Sequence, residues 1–109
     1  MARTSLVAGA FLLGLVAPAL ADTASYTLTL KDHKFTPAEL QVPANQKFEL
    51  KVVNQDSTPA EFESHELHRE KVITGGGQVT VSVGPLKPGT YEFFDDFHER
   101  ETRGRIIAK

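Results

Sequence analysis

Carboxylate and imidazole side chains are concentrated in two segments of this 109-residue chain. The first segment is Glu61–Lys71, and the second is Asp95-Asp-Phe-His98, which directly follows an aromatic run. Carboxylate oxygens and imidazole nitrogens together suit iron, manganese, zinc or Cu(II), but not Cu(I). The chain has no Cys, and its one Met is Met1. The residue types therefore indicate a metal site of nitrogen and oxygen ligands, without the thiolate that a blue-copper centre needs.

Both segments also have simpler interpretations. An isolated Asp-Asp-Phe-His motif is more often an acidic turn, and a charge run is more often a solvated connection. His65-Glu66 begins the H-E-x-x-H pattern of zinc proteases, but Arg69 stands where the second His belongs. Gly75-Gly-Gly77 lacks the Lys-Ser/Thr of a phosphate loop, and the chain has no Gly-x-Ser-x-Gly elbow. These motifs give no support for a hydrolase.

The first 21 residues have the features of a secretory signal peptide. Arg3 supplies a positive charge, Leu6–Val16 is an apolar run, and Ala19-Leu-Ala21 is an A-x-A cleavage site. The apolar run is too short to span a membrane. We therefore predict a cleaved signal peptide over residues 1–21, a single periplasmic domain over residues 22–109, and no membrane span in the mature chain.

The charge of the predicted mature chain bears on its partners. Without Arg3 it has 11 Lys and Arg residues against 14 Asp and Glu residues. Nucleic-acid binding requires a basic face, so this weak acidity argues against a nucleic-acid partner.

Alternating apolar and polar residues predict that most of the mature chain forms β-strands. The segment Glu61–Lys71 does not alternate cleanly, and it is compatible with a strand leading into a loop or with one helical turn. About seven short strands with turn signals between them predict an all-β sandwich or small barrel. The clearest predicted strands are Tyr26–Lys31, Glu39–Val42, Lys47–Val52, Val79–Val83, Tyr91–Phe94 and Arg105–Ala108.

Several runs resemble the cupredoxin fold: Phe35–Pro43, Phe48–Asn54, Leu86–Phe94 and Gly104–Ile107. The resemblance covers nearly the whole mature chain and implies a Greek-key β-sandwich. In that family the loop after the aromatic strand carries a copper-binding Cys and a His. Here His98 matches the loop His, and Asp95 stands at the Cys position.

The other two cupredoxin ligands have no counterpart in this chain. The upstream His is expected near Ala60-Glu61, and the residues nearest to the axial Met position are Glu101 and Thr102. The resemblance therefore does not imply the electron transfer of a blue-copper protein.

Thr58–Ser64, Leu67–Ile73 and Pro85–Phe94 resemble, more narrowly, the EfeO-type cupredoxin-like domain. Its relatives include small FtrB-like periplasmic proteins that accompany high-affinity iron permeases. The resemblance implies that the protein binds and oxidises ferrous iron. It also implies an inner-membrane iron permease and other periplasmic iron-uptake proteins as partners. Iron is then the predicted metal, and Cu(II) is the alternative. A non-enzymatic metal-binding module or metallochaperone that docks on a partner is the competing interpretation.

The implied topology brings the loop after Tyr91–Phe94 close to the loop after Val52–Asn54 and to Lys31–Lys34. We therefore predict one metal site at this end of the sandwich. Its predicted ligands are Asp32, Glu61, Glu63, Asp95 and His98. The secondary candidates are His33, His65, Glu66, His68 and Glu101.

Several of these residues have a structural alternative. Asp32 is equally suited to cap backbone amides in a turn. Glu63 is suited to an ion pair with a nearby Arg, and His98 to a hydrogen bond that fixes its loop. Glu66 and Glu70 are suited to pairing with nearby Lys and Arg.

Overall fold

The computed structural model describes residues 23–109. The predicted signal peptide over residues 1–21 lies outside the described residues. No helix in the described part is long and apolar enough to cross a membrane. The strands are β1 (Ala24–Lys31), β2 (Lys34–Thr36), β3 (Glu39–Val42), β4 (Phe48–Asn54), β5 (Ala60–Ser64), β6 (Arg69–Ile73), β7 (Gln78–Val83), β8 (Gly89–Asp95) and β9 (Arg103–Ala108), with a 3₁₀ turn at Asp96–His98 between β8 and β9.

The nine strands form two sheets. The four-stranded sheet has the order β2-β1-β4-β7, and the five-stranded sheet has the order β3-β9-β8-β5-β6. β1 runs parallel to β4 and β3 runs parallel to β9, whereas the other neighbours are antiparallel. Sequential strands thus change sheets repeatedly, as expected of the predicted sandwich.

One hydrophobic core is formed by the inward side chains of both sheets. The alternation of β4 places Phe48, Leu50 and Val52 in this core, with polar or half-buried residues between them. The Phe93 ring of β8 lies between the rings of Phe35 and Phe62, with centroid distances of 5.0 Å and 5.4 Å. This arrangement joins the two sheets by close aromatic packing.

The six clearest predicted strands are all present, and the structure adds others. β2 has only three residues, which is too few for a periodic pattern to be visible. The ambiguous segment Glu61–Lys71 forms most of a hairpin, in which β5 pairs antiparallel with β6. β6 did not alternate because it is exposed at four of its five positions. The helical-turn interpretation of this segment is therefore wrong.

The buried side chain of Asn54 fixes the loop that leaves β4. Its amide nitrogen donates to the carbonyl oxygens of Thr58, Ile73 and Thr74, at 2.8, 3.3 and 3.2 Å. Its Oδ1 accepts from the backbone N–H of Asp56 at 3.0 Å. Because Asn54 is fully buried, these bonds satisfy its polar atoms and hold Asp56 in place.

Candidate metal centre

The turn between β1 and β2 carries His33 on a backbone that is fixed from outside the turn. Asp32 and His33 both have left-handed backbones, with φ of 52° and 60°. The Asp32 N–H donates to Asp56 Oδ1 at 2.6 Å, and the His33 N–H donates to Asp56 Oδ2 at 3.0 Å. The Asp56 carboxylate therefore satisfies both amides of a turn that has an uncommon conformation.

Asp56 is an ionised carboxylate behind the His33 ring. The hydrogen bond from the His33 amide, followed by the Asp32 amide and the nearby His33 and Lys31 charges, lowers the pKa of Asp56 against an opposing effect of desolvation. Asp56 Oδ2 also lies 3.8 Å from His33 Nδ1. The carboxylate thus faces the Nδ1 side of this imidazole.

Asp95 at the end of β8 holds His98 in a similar way. Asp95 is 1% exposed. Oδ1 accepts from the backbone N–H groups of Glu61 and Phe97, at 2.9 Å and 3.0 Å, and caps the 3₁₀ turn. Oδ2 lies 3.0 Å from His98 Nδ1. Both carboxylate oxygens therefore have protein partners, as a buried carboxylate requires.

The rings of His33 and His98 lie against each other at the end of the sandwich; we call them the histidine pair. Their centroids are 4.2 Å apart, with a tilt of 40°. The Thr102 hydroxyl donates to the His33 carbonyl at 2.8 Å, and the Thr102 N–H donates to the His98 carbonyl at 3.0 Å. In each ring Nδ1 faces a carboxylate, so Nε2 is the nitrogen left to bind an ion.

Three carboxylates form a second group on the outer face of the five-stranded sheet; we call it the acidic triad. Glu61 and Glu63 of β5 and Glu70 of β6 each offer an oxygen, and these atoms lie within 4.8 Å of one another. Glu63 and Glu70 are direct cross-strand partners. Desolvation, then the charges of Glu70, Asp96 and Glu63 and a hydrogen bond with Asp96, raises the pKa of Glu61.

The β5–β6 turn carries the remaining histidine candidates. His65 Nδ1 lies 3.6 Å from a Glu63 oxygen, and the His65 ring packs 5.4 Å from that of Phe94. His68 occupies a left-handed turn position with φ of 57°. Both histidines line a shallow depression of about 450 Å³ that also includes Glu63 and Glu70.

The structure divides the predicted ligand group in two. It places Asp95 and His98 with His33 at the end of the sandwich, and Glu61 and Glu63 with Glu70 on the outer sheet face. Asp32 contributes its backbone amide to the site, and its side chain is exposed.

Other candidates have local partners. Glu66 Oε1 accepts from the Glu92 N–H at 2.6 Å. Glu63 lies beside His65, instead of the Arg that the sequence offered as its ion-pair partner. Glu101 is exposed beside His98, whose carbonyl accepts from the Glu101 N–H at 3.1 Å.

Sequence reasoning missed Asp56 and did not count Glu70 as a ligand. Asp56 lies in the turn signal Asn54–Ser57, where an Asp side chain ordinarily bonds nearby amides. Here it bonds amides more than 20 positions away, which a local pattern does not reveal. Glu70 would have been found by treating Glu61–Lys71 as a hairpin.

A family model described as "Cupredoxin-like domain" matches residues 4–108. The chain belongs to the cupredoxin-like domain family. This membership confirms the broader of the two resemblances.

Among curated proteins, the chain is 48% identical over 81 residues to "Uncharacterized protein RP394" of Rickettsia prowazekii (strain Madrid E). The match covers 74% of this chain and 65% of that relative, so the chain spans less than two thirds of the relative's length.

Solved cupredoxin structures share the fold at low identity. Auracyanin A, a "blue" copper protein of Chloroflexus aurantiacus, is 13% identical with a TM-score of 0.69, covering 81% of this chain and 100% of auracyanin A. The metal-binding domain of the Cu(I)-exporting P-type ATPase CopA of Streptococcus pneumoniae is 14% identical with a TM-score of 0.69, covering 84% of this chain and 91% of that domain. A purple cupredoxin of Nitrosopumilus maritimus is 16% identical with a TM-score of 0.60, covering 79% and 99%.

The donor set of this cupredoxin-like chain does not fit a blue-copper ion. Such a centre needs a thiolate, and the chain has no Cys. Asp95, at the position that the resemblance gives to the Cys, turns both oxygens toward protein donors. What this end of the sandwich offers is imidazole nitrogen, with carboxylate oxygens on the adjoining sheet face.

Proposed function

We propose that this cupredoxin-like protein binds ferrous iron in the periplasm and helps to oxidise it for an inner-membrane iron permease. The observation that carries the proposal is that Asp95 connects the backbone of two groups of possible metal ligands. Asp95 Oδ1 accepts from the Glu61 amide, beside the acidic triad, while Oδ2 faces His98 of the histidine pair. Asp95 thus links the strand that carries Glu61 and Glu63 to the loop that carries His98.

The chemistry of the acidic triad supports the choice of iron. Anionic oxygens are hard ligands, so they stabilise Fe(III) more than Fe(II). Each 1.4 kcal/mol of that difference, about tenfold in the equilibrium constant, lowers the potential of the bound ion. Oxidation releases one electron from Fe(II), which dioxygen or a partner redox protein accepts. The mutual repulsion of Glu61, Glu63 and Glu70 also favours cation binding.

The permease partner, the periplasmic location and the EfeO-type specificity rest on the resemblance of Thr58–Ser64, Leu67–Ile73 and Pro85–Phe94 and on the predicted signal peptide. They are tested in cells. Uptake of radioactive ferrous iron through a co-expressed permease is expected to rise with the parent protein. It is not expected to rise when residues 1–21 are removed.

The direct test is an anaerobic Fe(II) titration of the purified protein, followed by oxygen exposure with Fe(III) detection. We expect stoichiometric binding and faster formation of Fe(III) than in buffer. Glu63→Gln and Glu70→Gln should each weaken iron binding at least about tenfold, since even indirect changes at metal sites cost roughly 10–100-fold. Glu99→Gln, an exposed acidic residue outside the triad, is the matched control and should bind like the parent.

Two results would change this assignment. Tight iron binding without faster Fe(III) formation would identify the protein as a binding module or metallochaperone. Absence of iron binding would refute the proposal.

A further inference from the structure

We infer that His33 and His98 together bind one borderline divalent ion of the Cu(II) class through their Nε2 atoms. In this arrangement Asp56 and Asp95 are positioning residues and not ligands. The inference deepens the proposed function by adding a nitrogen site to the oxygen site. It rests on metal binding by this protein but not on iron oxidation.

The first step of the argument concerns ring orientation. An ionised carboxylate only accepts hydrogen bonds, so a carboxylate at Nδ1 favours the tautomer with the proton on Nδ1 and a lone pair on Nε2. Asp95 Oδ2 makes this contact with His98 at 3.0 Å. Asp56 Oδ2 faces His33 Nδ1 at 3.8 Å, which is too long for a direct hydrogen bond, so Asp56 positions His33 chiefly through the backbone amide of that residue. A carboxylate behind a metal-binding imidazole is a recurrent arrangement in metal sites.

The second step concerns the distance between the rings. Metal–imidazole bonds of about 2.0–2.1 Å place two adjacent ligand nitrogens roughly 3 Å apart. The ring centroids of the histidine pair are already 4.2 Å apart and tilted by 40°. Two imidazoles this close are within reach of a single ion, and the inferred site requires ring adjustments that keep each Nδ1 beside its carboxylate.

The third step concerns pre-organisation and access. Thr102 hydrogen-bonds the backbone of both histidines, so the two backbone segments that carry the rings are fixed relative to each other. The side chains of His33 and His98 are 42% and 31% exposed, so an ion can reach them and solvent can complete its coordination. Imidazole suits copper, zinc, nickel and iron, and among divalent ions Cu(II) binds such ligands most tightly.

Asp95→Asn provides a sharp test of the positioning role. Oδ1 of the new amide must still accept from the Glu61 and Phe97 N–H groups. The amide NH₂ then faces His98 Nδ1 and favours the tautomer with the proton on Nε2. The side chain keeps its volume and backbone contacts, yet the nitrogen needed by the metal is protonated. A purely structural role of Asp95 would not produce this loss.

The experiment is a Cu(II) titration of the purified protein, monitored by electron paramagnetic resonance for nitrogen hyperfine coupling. We expect coupling to two nitrogens in the parent and a loss of one in His33→Gln and in His98→Gln, with affinity reduced at least about tenfold. Asp95→Asn should lose roughly 10–100-fold in affinity. His65→Gln and His68→Gln are the matched controls and should resemble the parent. Circular dichroism establishes that each variant is folded.

Unchanged copper spectra and affinities in folded His33→Gln and His98→Gln would overturn the inference. So would loss of the nitrogen coupling in His65→Gln or His68→Gln alone. Either result leaves the proposed iron function standing if Fe(III) formation persists and depends on Glu63 and Glu70. Conversely, two-nitrogen copper binding without any iron binding would uphold the inference and refute the function.

Discussion

Asp95 and Asp56 each place a carboxylate behind an imidazole, although Asp95 ends a strand of the five-stranded sheet and Asp56 follows a strand of the other sheet. Each also accepts from two backbone amides. Asp95 thus holds the backbone of its turn and favours the His98 tautomer with the proton on Nδ1, whereas Asp56 holds the backbone and lies beside His33 Nδ1. At the residue scale, these two side chains therefore position the two residues that carry the imidazole rings of the site.

Asp56→Ala should destabilise the protein by about 0.5–2 kcal/mol, the usual cost of removing a side chain that caps backbone amides. The reason is that the Asp32 and His33 amides lose their acceptor in a left-handed turn. Urea unfolding measures the change. Glu101→Ala, at an exposed position, should stay within about 0.5 kcal/mol of the parent. Equal stabilities of the two variants would contradict the capping role.

The sequence predicted part of this residue-scale arrangement. His98 could be placed because an aromatic strand and a short acidic turn precede it. The role of Asp95 was harder to foresee, since a carboxylate at that position is equally a ligand or a cap until its partners are known. Asp56 was missed because its partners come from the β1–β2 turn, which is distant in sequence.

At the element scale, the β5–β6 hairpin concentrates negative charge on one face. Glu61 and Glu63 share the outer face of β5 because Phe62 between them is buried in the core. Glu70 then stands directly opposite Glu63, and like charges in cross-strand pairs are destabilising. The strand period predicted that Glu61 and Glu63 share one face. The position of Glu70 could not be predicted in this way, because the sequence of β6 does not alternate between apolar and polar residues.

Glu61→Gln should stabilise the hairpin near neutral pH. Desolvation and the neighbouring carboxylates raise the pKa of Glu61 above its ordinary value of 4.5 in the folded state. The folded protein therefore holds this proton more tightly than the unfolded chain does. Stability therefore falls as pH rises from the unfolded value through the raised folded pKa. The substitution removes this part of the pH dependence, and Tm should increase above that window.

Thermal unfolding from about pH 4 to about pH 8 tests this prediction. Glu39→Gln is the matched control, because Glu39 faces Arg105 at 3.0 Å in place of like charges, and its removal should not raise Tm. A lower Tm for Glu61→Gln near neutral pH would show that the charges in the acidic triad do not repel one another as described.

At the scale of the whole molecule, the sandwich brings together turns that are far apart in the chain. The period-2 pattern was sufficient to predict an all-β fold, and the resemblance predicted its family. The contact between His33 and His98 could not be predicted from the pattern, because it depends on how the two sheets are placed relative to each other. Thr102 completes that contact; the resemblance placed it only near the axial Met position and gave no reason to expect its hydrogen bonds to both histidines.

An ion bound by the histidine pair should stabilise the whole fold, because it joins a turn of the four-stranded sheet to a loop of the five-stranded sheet. Cu(II) at 100 times its dissociation constant adds about 2.7 kcal/mol if it binds only the folded state. For a domain of this size that corresponds to a rise in Tm of roughly 10–20 °C. Differential scanning calorimetry should show this rise and its reversal by a chelator. The double variant His33→Gln/His98→Gln should lose most of it, because both imidazole nitrogens that bind the ion in the folded state are removed. An undiminished rise in that variant would place the stabilising ion elsewhere.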